Sequence, residues 1–308
     1  MKLSIIIPTL NRPSDLRNAL DSISKQTLLP NEVIVIDQSD NDLSKEVVGI
    51  FNQQSKNKDL VYIWHHRAEK SSAKARNEGF RLSSGDLVFF TDDDIVFDPD
   101  YIKNVVRCFN TNPDVGCVSG SVVIKSSPKG LKWNIRSFLM RTFMISFFNG
   151  KMTPSGFGFP IFLHEIKKIT QVELLAGYSM NFRRKLLEDN AFDEWFTGYS
   201  FREDVELSYR MSRITKIVMI PDARFEHIHS QLNRMNSSHL KRMEFKNYRY
   251  LFLKHKNKRI FSKLLFYYSI AGLIFIDFLE FLFSFKKEKY QSFQSSILSV
   301  WEMALGRL

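Results

Sequence analysis

The chain has 308 residues, 44% hydrophobic and 25% charged, enough for one large or two smaller domains around a substantial core. Its 13 glycines and 9 prolines exclude collagen-like or low-complexity material, and its 2 cysteines, Cys108 and Cys117, are too few for a disulfide framework and lack metal-ligand spacing, so a reducing, cytoplasmic compartment is expected. The balance of 44 Lys/Arg against 33 Asp/Glu gives +11, and 13 of the basic but four of the acidic residues lie between Leu232 and Tyr290, which points to an anionic partner met near the C-terminus: phospholipid, nucleic acid or a polyanionic substrate.

The apolar run Leu3 to Pro8 is too short for a signal-peptide core, so export is not expected. Residues 3–9 read as a strand, and the segment opened by Pro13 carries Leu16, Ala19, Leu20 and Ile23 at helical spacing. The alternation repeats with strand 32–36, helix 43–54, strand 60–64, helix 72–82 and strand 87–90. Strands that are apolar at every position fit a parallel sheet covered by helices on both faces. Right-handed crossovers put the strand carboxyl ends on one edge, where ligands of open α/β sheets bind. That edge receives Asn11 and Arg12, then Asp37 to Asp42, then His65 to Arg67, then Asp92, Asp93 and Asp94. A helix over 100–110 and a strand-rich stretch over 115–124 follow, and residues 126–164, with the sequence TPSGFGFP, read as an irregular, mobile flap. A short strand over 172–175, a helix from about Arg183, a helix over 204–213 and a strand over 217–220 complete the pattern.

Three consecutive carboxylates at the end of an apolar strand, in TDDDIVFDP (91–99), repel one another unless a cation sits among them. Aspartate oxygens are hard donors and no His or Cys stands nearby at zinc-like spacing, so Mg²⁺ or Mn²⁺ is favoured. The bland alternative is a capping aspartate with solvated neighbours. Neither GxGxxG nor GxxxxGK occurs, which excludes dinucleotide and P-loop readings and leaves a metal-held diphosphate.

The segments IIIPTLNR, VIDQSD, AKARNEG, TDDDIVFDP, GYSMNFRR and REDVELSYR stand in an order that resembles a family 2 glycosyltransferase of the GT-A fold, over about residues 1–230. The resemblance implies an inverting transfer from a nucleotide-sugar. It implies that Thr9 and Arg12 flank the nucleotide, that Asp37 accepts a hydrogen bond from a base N–H, as suits a UDP or dTDP donor, and that Arg76 reaches the nucleotide or its diphosphate. The family's metal motif is Asp-x-Asp, and superposition puts Thr91 at its first acidic position and Asp93 at its last. Asp93 is then the direct metal ligand, with Asp92 toward the ribose or a metal-bound water and Asp94 behind the metal or toward the acceptor. Asp204, paired with Glu203, matches the family's catalytic base; at the start of a helix it should keep an ordinary acidity. Gly177 and either Arg183 or Arg184 shape the acceptor and diphosphate side, and His227, with His229 as the alternative, is expected near the metal.

On this reading residues 1–230 form the catalytic domain, with a nucleotide-sugar half of about 1–125 and an acceptor half of about 126–230, and 231–308 form a basic, aromatic helical module. Residues 264–285 are long enough to span a bilayer but carry Asp277 and Glu280. Each costs about 2.5 to 3.5 kcal/mol at the bilayer centre. Ser269, Asp277, Glu280 and Ser284 fall in a polar stripe roughly 80° wide on a helical wheel, which suits a helix lying in the membrane plane. Basic clusters on both sides fit anionic headgroups, so a monotopic attachment to the cytoplasmic face of the membrane is expected, a buried packing helix being the alternative. The function expected is transfer of a sugar to a glycan or lipid-linked acceptor in surface polysaccharide synthesis, with no nucleic acid partner. The competing class is a nucleic-acid or anionic-membrane binding protein with a non-catalytic α/β scaffold, which leaves the aspartate cluster unexplained; a nucleotidyltransferase lacks its Gly-rich signature here.

Overall fold

The computed structural model describes residues 1–55, 60–124, 128–228, 237–256, 260–284 and 286–307. They fall into two compact units, one of residues 1–126 and 162–233, the other of 127–161 and 234–308. The expected break at 230 is close to one boundary, but the chain already leaves the first unit at 126 and returns at 162. Residues 127–161 therefore group with the C-terminal helices and not with an acceptor half of the catalytic domain.

The first unit carries the alternation read from sequence: β1 (Leu3–Thr9), α1 (Pro13–Ser24), β2 (Glu32–Asp37), α2 (Leu43–Gln54), β3 (Val61–His66), α3 (Ser72–Leu82) and β4 (Leu87–Phe90). All seven residues of β1 and all four of β4 are buried, as strands covered on both faces must be. β1 pairs in parallel with β2 and β4, and β2 with β3, in a register that aligns Thr9 with Asp37 and Asp37 with His66 at one edge.

Beyond β4 the sheet departs from expectation. After β5 (Ile95–Phe97), α4 (Tyr101–Thr111) and β6 (Val115–Val122), the stretch 172–175 is not a strand; only β7 (Thr170–Gln171) precedes it. The helix expected from Arg183 is instead β8 (Met180–Arg183), followed by a 3₁₀ turn at Arg184–Leu186. Then come α6 (Glu203–Met211) and β9 (Lys216–His227), longer than the segment expected. Among the described residues the strands make one sheet of order β3-β2-β1-β4-β8-β6-β9-β5, with β7 on β9. β8 runs antiparallel to β4 and β6, and β5 antiparallel to β9, so the sheet is mixed around a parallel half.

Reversal of β8 positions the site. Its pairing sets Met180 beside Phe90 and Arg183 beside Leu87, which puts the 177–179 turn at the edge where the parallel strands end. α3 lies close on β1, because Gly79 faces Ile6: a Cβ there would stand 2.4 Å from Ile6 Cγ2.

In the second unit, part of the stretch expected to be an irregular flap is α5 (Leu131–Thr142). The TPSGFGFP segment packs inward, with Phe157 buried and stacked at 4.0 Å on Tyr248. α7 (Ser237–His255), α8 (Ile260–Ser284) and α9 (Lys287–Ala304) complete it. By length and composition α8 is apolar enough to cross a membrane.

Gly79→Ala should lower unfolding stability by about 1 to 3 kcal/mol through overpacking between α3 and β1. Urea unfolding of the variant checks it; a midpoint equal to that of the natural chain would contradict the close approach.

Candidate active site

The acidic turn after β4 is held from several sides. Thr9 Oγ1, at the end of β1, donates to Asp93 Oδ2 at 2.7 Å, and Arg12 NH1 donates to Asp93 Oδ1 at 3.2 Å. Burial pushes the Asp93 carboxyl up to about 7, against the pull of the Arg12 guanidinium and the Thr9 hydroxyl. Thr91, at the position where the family motif has its first acid, donates its hydroxyl to the Tyr178 carbonyl at 3.0 Å, tying the strand end to the 177–179 turn. Asp94 meets a different partner. The β5–β9 pairing sets Ile95 opposite His227, and the His227 Nε2 lies 3.2 Å from Asp94 Oδ1, its ring 5.0 Å from that of Tyr178.

Arg76 joins this turn to the start of α6. It is 3% exposed; NH2 donates to Asp92 Oδ1 at 2.7 Å and NH1 to Glu203 Oε1 at 2.5 Å, while the guanidinium lies 5.4 Å from the Phe192 ring. Burial works against its charge, and Asp92, Glu203 and Asp204 outweigh burial, holding it cationic beyond its ordinary range. Gly177 has a definite reason to be glycine: a Cβ would stand 2.7 Å from Arg76 NH2.

Asp204 is aimed by backbone donors. Its Oδ2 accepts from Gly177 N–H at 2.9 Å and its Oδ1 from Val205 N–H at 2.7 Å. The ordinary acidity expected of a helix-start carboxylate is corrected here: burial raises Asp204 despite those hydrogen bonds and Arg76. Glu203 is pushed up to about 8, by burial first and then by the charge of Asp204, with Arg76 pulling the other way. Both Asp92 and Asp204 act on the buried Tyr178 phenol, whose pKa burial raises first, so Asp204 and the acidic turn lie around one side chain.

The remaining sequence candidates lie elsewhere or are occupied. Arg183 sits at the opposite end of β8; its Nε donates to the Val115 carbonyl at 2.9 Å and its NH2 to the Phe109 carbonyl at 2.7 Å, closing the end of α4. Arg184 likewise donates to Ser83 Oγ at 2.9 Å. Neither faces the acceptor side, because the antiparallel turn of β8 carries them to the far edge. Asp37 is fully buried, and its oxygens accept from Ser39 N–H and Trp64 Nε1–H, each at 3.0 Å. His229 lies outside the described residues.

Several residues outside the sequence-based set shape the site. Asn77 pins the loop before α6, donating to the Phe192 carbonyl at 2.9 Å and accepting from Phe192 N–H at 2.8 Å; its place beside Arg76 in AKARNEG was the available signal. Asn11, Ser200 and Arg202 adopt positive φ of 53°, 53° and 79° at the two ends of the site. Serine and arginine seldom take that conformation without compensation from their surroundings.

For a divalent cation, the donor chemistry fits with one correction. The expected ligand Asp93 has both oxygens engaged by Thr9 and Arg12, whereas Asp94 and His227 form an adjacent oxygen and nitrogen pair. Among the described residues no group of three His, Cys, Asp or Glu side chains is set to enclose a metal ion. A Mg²⁺ or Mn²⁺ ion held here by Asp94 and His227 would leave room for phosphate and water donors, which is how Mg²⁺ is commonly held.

Comparison with known proteins agrees with this geometry. The sequence model described as "Glycosyl transferase family 2" matches residues 4–188. The chain is 33% identical over 144 residues to an O-antigen chain rhamnosyltransferase of Salmonella typhimurium, covering 45% of this chain and 42% of that protein. It is 34% identical over 116 residues to an uncharacterized glycosyltransferase of Haemophilus influenzae, covering 38% of this chain and 37% of that one, so the match spans about two fifths of these relatives' length. Among solved structures, the mannosyltransferase of Pyrobaculum calidifontis in complex with GDP-Man and Mn²⁺ superposes with a TM-score of 0.58 at 16% identity, over 100% of this chain and 88% of that one. GalNAc-T7 with UDP, GalNAc and Mn²⁺ gives 0.56 at 14% identity, over 88% and 55%. At these identities the structures bear on the fold alone, which is GT-A.

The raised Glu203 carboxyl makes stability depend on pH. The folded chain keeps a proton that the unfolded chain releases near 4.5, so stability falls as pH rises from there to about 8 and the loss is complete above that value. Glu203→Gln should flatten that decline, whose ceiling for one proton is about 1.4 kcal/mol per pH unit. Urea midpoints across this pH range decide it; an equal decline in both proteins would refute the assignment.

Proposed function

The chain belongs to glycosyl transferase family 2, and we propose that it is a metal-dependent, inverting enzyme that moves a sugar from a UDP- or dTDP-sugar to a glycan or lipid-linked acceptor. The observation that carries the reading is the single buried guanidinium of Arg76, which binds Asp92 of the acidic turn and Glu203 beside Asp204, so that donor-side and acceptor-side carboxylates share one site. That the acceptor belongs to surface polysaccharide synthesis is supported by the likeness to an O-antigen chain rhamnosyltransferase, and the reaction is proposed to take place at the cytoplasmic face of the membrane. Asp37 gives the uracil or thymine class only indirect support, because both its oxygens already accept hydrogen bonds.

In this reading the acceptor hydroxyl donates to the Asp204 carboxylate, whose position the Gly177 and Val205 amides fix. As that proton leaves, the hydroxyl oxygen attacks the anomeric carbon from the face opposite the diphosphate, the bond to the diphosphate oxygen breaks, and the electron pair departs with the diphosphate. Burial makes Asp204 a better proton acceptor than an exposed aspartate. Asp94 and His227 would hold the metal, with Asp93 fixed behind them by Thr9 and Arg12. A bound Mn²⁺ or Mg²⁺ would supply positive charge to the departing diphosphate. Arg76 would offset the charge of Asp92 beside the substrate and hold the Glu203 carboxyl in place next to Asp204.

A nucleotide-release screen over UDP-, dTDP- and GDP-sugars with Mn²⁺ or Mg²⁺ tests the reading. Asp204→Asn should lower turnover by about 10² to 10⁴. Asp94→Ala and His227→Ala should raise the metal concentration needed for half-maximal rate, and Asp93→Ala should weaken turnover by loosening the acidic turn. Unchanged turnover in Asp204→Asn and Asp94→Ala together removes the site.

A further inference from the structure

The second unit turns the polar stripe of α8 inward and large apolar side chains of that helix outward. On the inner face of α8, Asp277 is 7% exposed and accepts from Lys241 Nζ of α7 at 3.2 Å and from Ser296 Oγ of α9 at 2.5 Å. Burial opposes the Lys241 charge, but Glu244 and Asp277 more than compensate and its pKa is raised. Glu280 meets Arg136 of α5 and Lys289 of α9, and Ser269 donates to the Phe143 carbonyl at 2.6 Å. The polar stripe of α8 is thus consumed within the unit and does not face a headgroup layer.

On the opposite face of α8, Leu264, Tyr267, Phe275, Phe278, Leu282 and Phe283 are exposed, between 37% and 68%. From Leu264 to Phe283 this strip runs about 28 Å at the helical rise. Among the described residues it carries no exposed charge between Lys263 and Lys286. α5 exposes Leu131, Ile135 and Phe138, α9 exposes Ile297, Leu298 and Trp301, and Leu305 just after it is exposed as well. Apolar exposure on this scale marks a surface with a partner.

Charge identifies the partner. The second unit holds 19 of the 44 Lys/Arg and 5 of the 33 Asp/Glu, a net +14, which leaves the first unit at 25 against 28. A second copy would bring like charge against like charge; an anionic headgroup layer neutralises it. We infer that the outer faces of α8, α5 and α9 dock the chain onto an anionic lipid bilayer, lying in the interface and not across it. Spanning is opposed by α7, whose Lys241 and Glu244 are locked to the inner side of α8 and cannot follow it into hydrocarbon. This deepens the proposal of a membrane-borne acceptor and rests on that reading only for its use, since attachment needs no turnover.

Flotation of the full chain with vesicles of phosphatidylcholine alone, or with about 30% phosphatidylglycerol, tests it. The natural chain should float with the anionic vesicles and less with the neutral ones. Leu264→Glu with Phe275→Glu should cut the bound fraction at least about tenfold, since both side chains point outward, while leaving the thermal midpoint unchanged. Lys263→Gln with Lys286→Gln and Lys287→Gln should weaken binding to the anionic vesicles only. A natural chain that stays unbound with both vesicle types overturns the inference, as does a glutamate variant that floats equally well or a soluble dimer that the glutamates dissociate. A chain that binds vesicles but releases no nucleotide sinks the reaction proposed above and leaves this inference standing.

Discussion

The site depends on one buried cation facing more than one carboxylate. Arg76 is almost fully enclosed, and its two terminal nitrogens are committed to Asp92 and Glu203, with Asp204 close enough to act on its charge. Desolvating a guanidinium costs several kcal/mol, so it stays charged only because that anionic surplus surrounds it. Enclosure acts on the carboxyls too: burial raises both Glu203 and Asp204, and at Glu203 the charge of Asp204 adds to it. Asp204 is thus more basic than an exposed aspartate because it is buried, even with two amide donors and Arg76 pulling the other way.

Two glycines make that arrangement possible from opposite directions. Gly79 lets α3 settle on β1, and α3 carries Arg76 one turn earlier; Gly177 then leaves room for the guanidinium where any side chain would collide with it. The amide of Gly177 is meanwhile one of the two donors that aim Asp204. The residues that hold strained backbone, Ser200 and Arg202, come just before α6, and Ser200 Oγ is anchored to the Phe196 carbonyl at 3.0 Å. Strain of this kind survives where surrounding contacts over-determine the chain, and here it fixes where α6 begins and so where Asp204 points.

The parallel half of the fold was legible because each strand is apolar throughout and each helix is periodic, both local properties of the sequence. The acidic turn was placed at a strand end by the same local pattern, whereas Arg76 and the Glu203–Asp204 pair were singled out only by resemblance to the family's motifs. Arg183 was not, since its direction is set by the antiparallel pairing of β8 with β4, residues nearly a hundred positions apart. His227 came to Asp94 instead of Asp93 through a strand, β5, of three residues, too short to leave a pattern. The stripe on α8 was visible on a helical wheel, but a wheel does not say which way it turns. That is settled by Lys241 and Ser296, 36 and 19 residues away.

Separation of charge between the units bears on how the proposed anionic donor would be recognised. With 25 basic against 28 acidic residues, the first unit offers a nucleotide diphosphate no net attraction, and its edge concentrates carboxylates. Recognition must then come from cations placed one by one at that edge, and the geometry commits most of them in advance: Arg76 to Asp92 and Glu203, Arg12 to Asp93. With the Arg76 and Arg12 guanidiniums engaged by carboxylates, the proposed diphosphate would be met by a further cation. In the proposed reaction a metal ion beside Asp92, Asp93 and Asp94 would supply that charge, and the three carboxyls are hard oxygen donors of the kind Mg²⁺ and Mn²⁺ take.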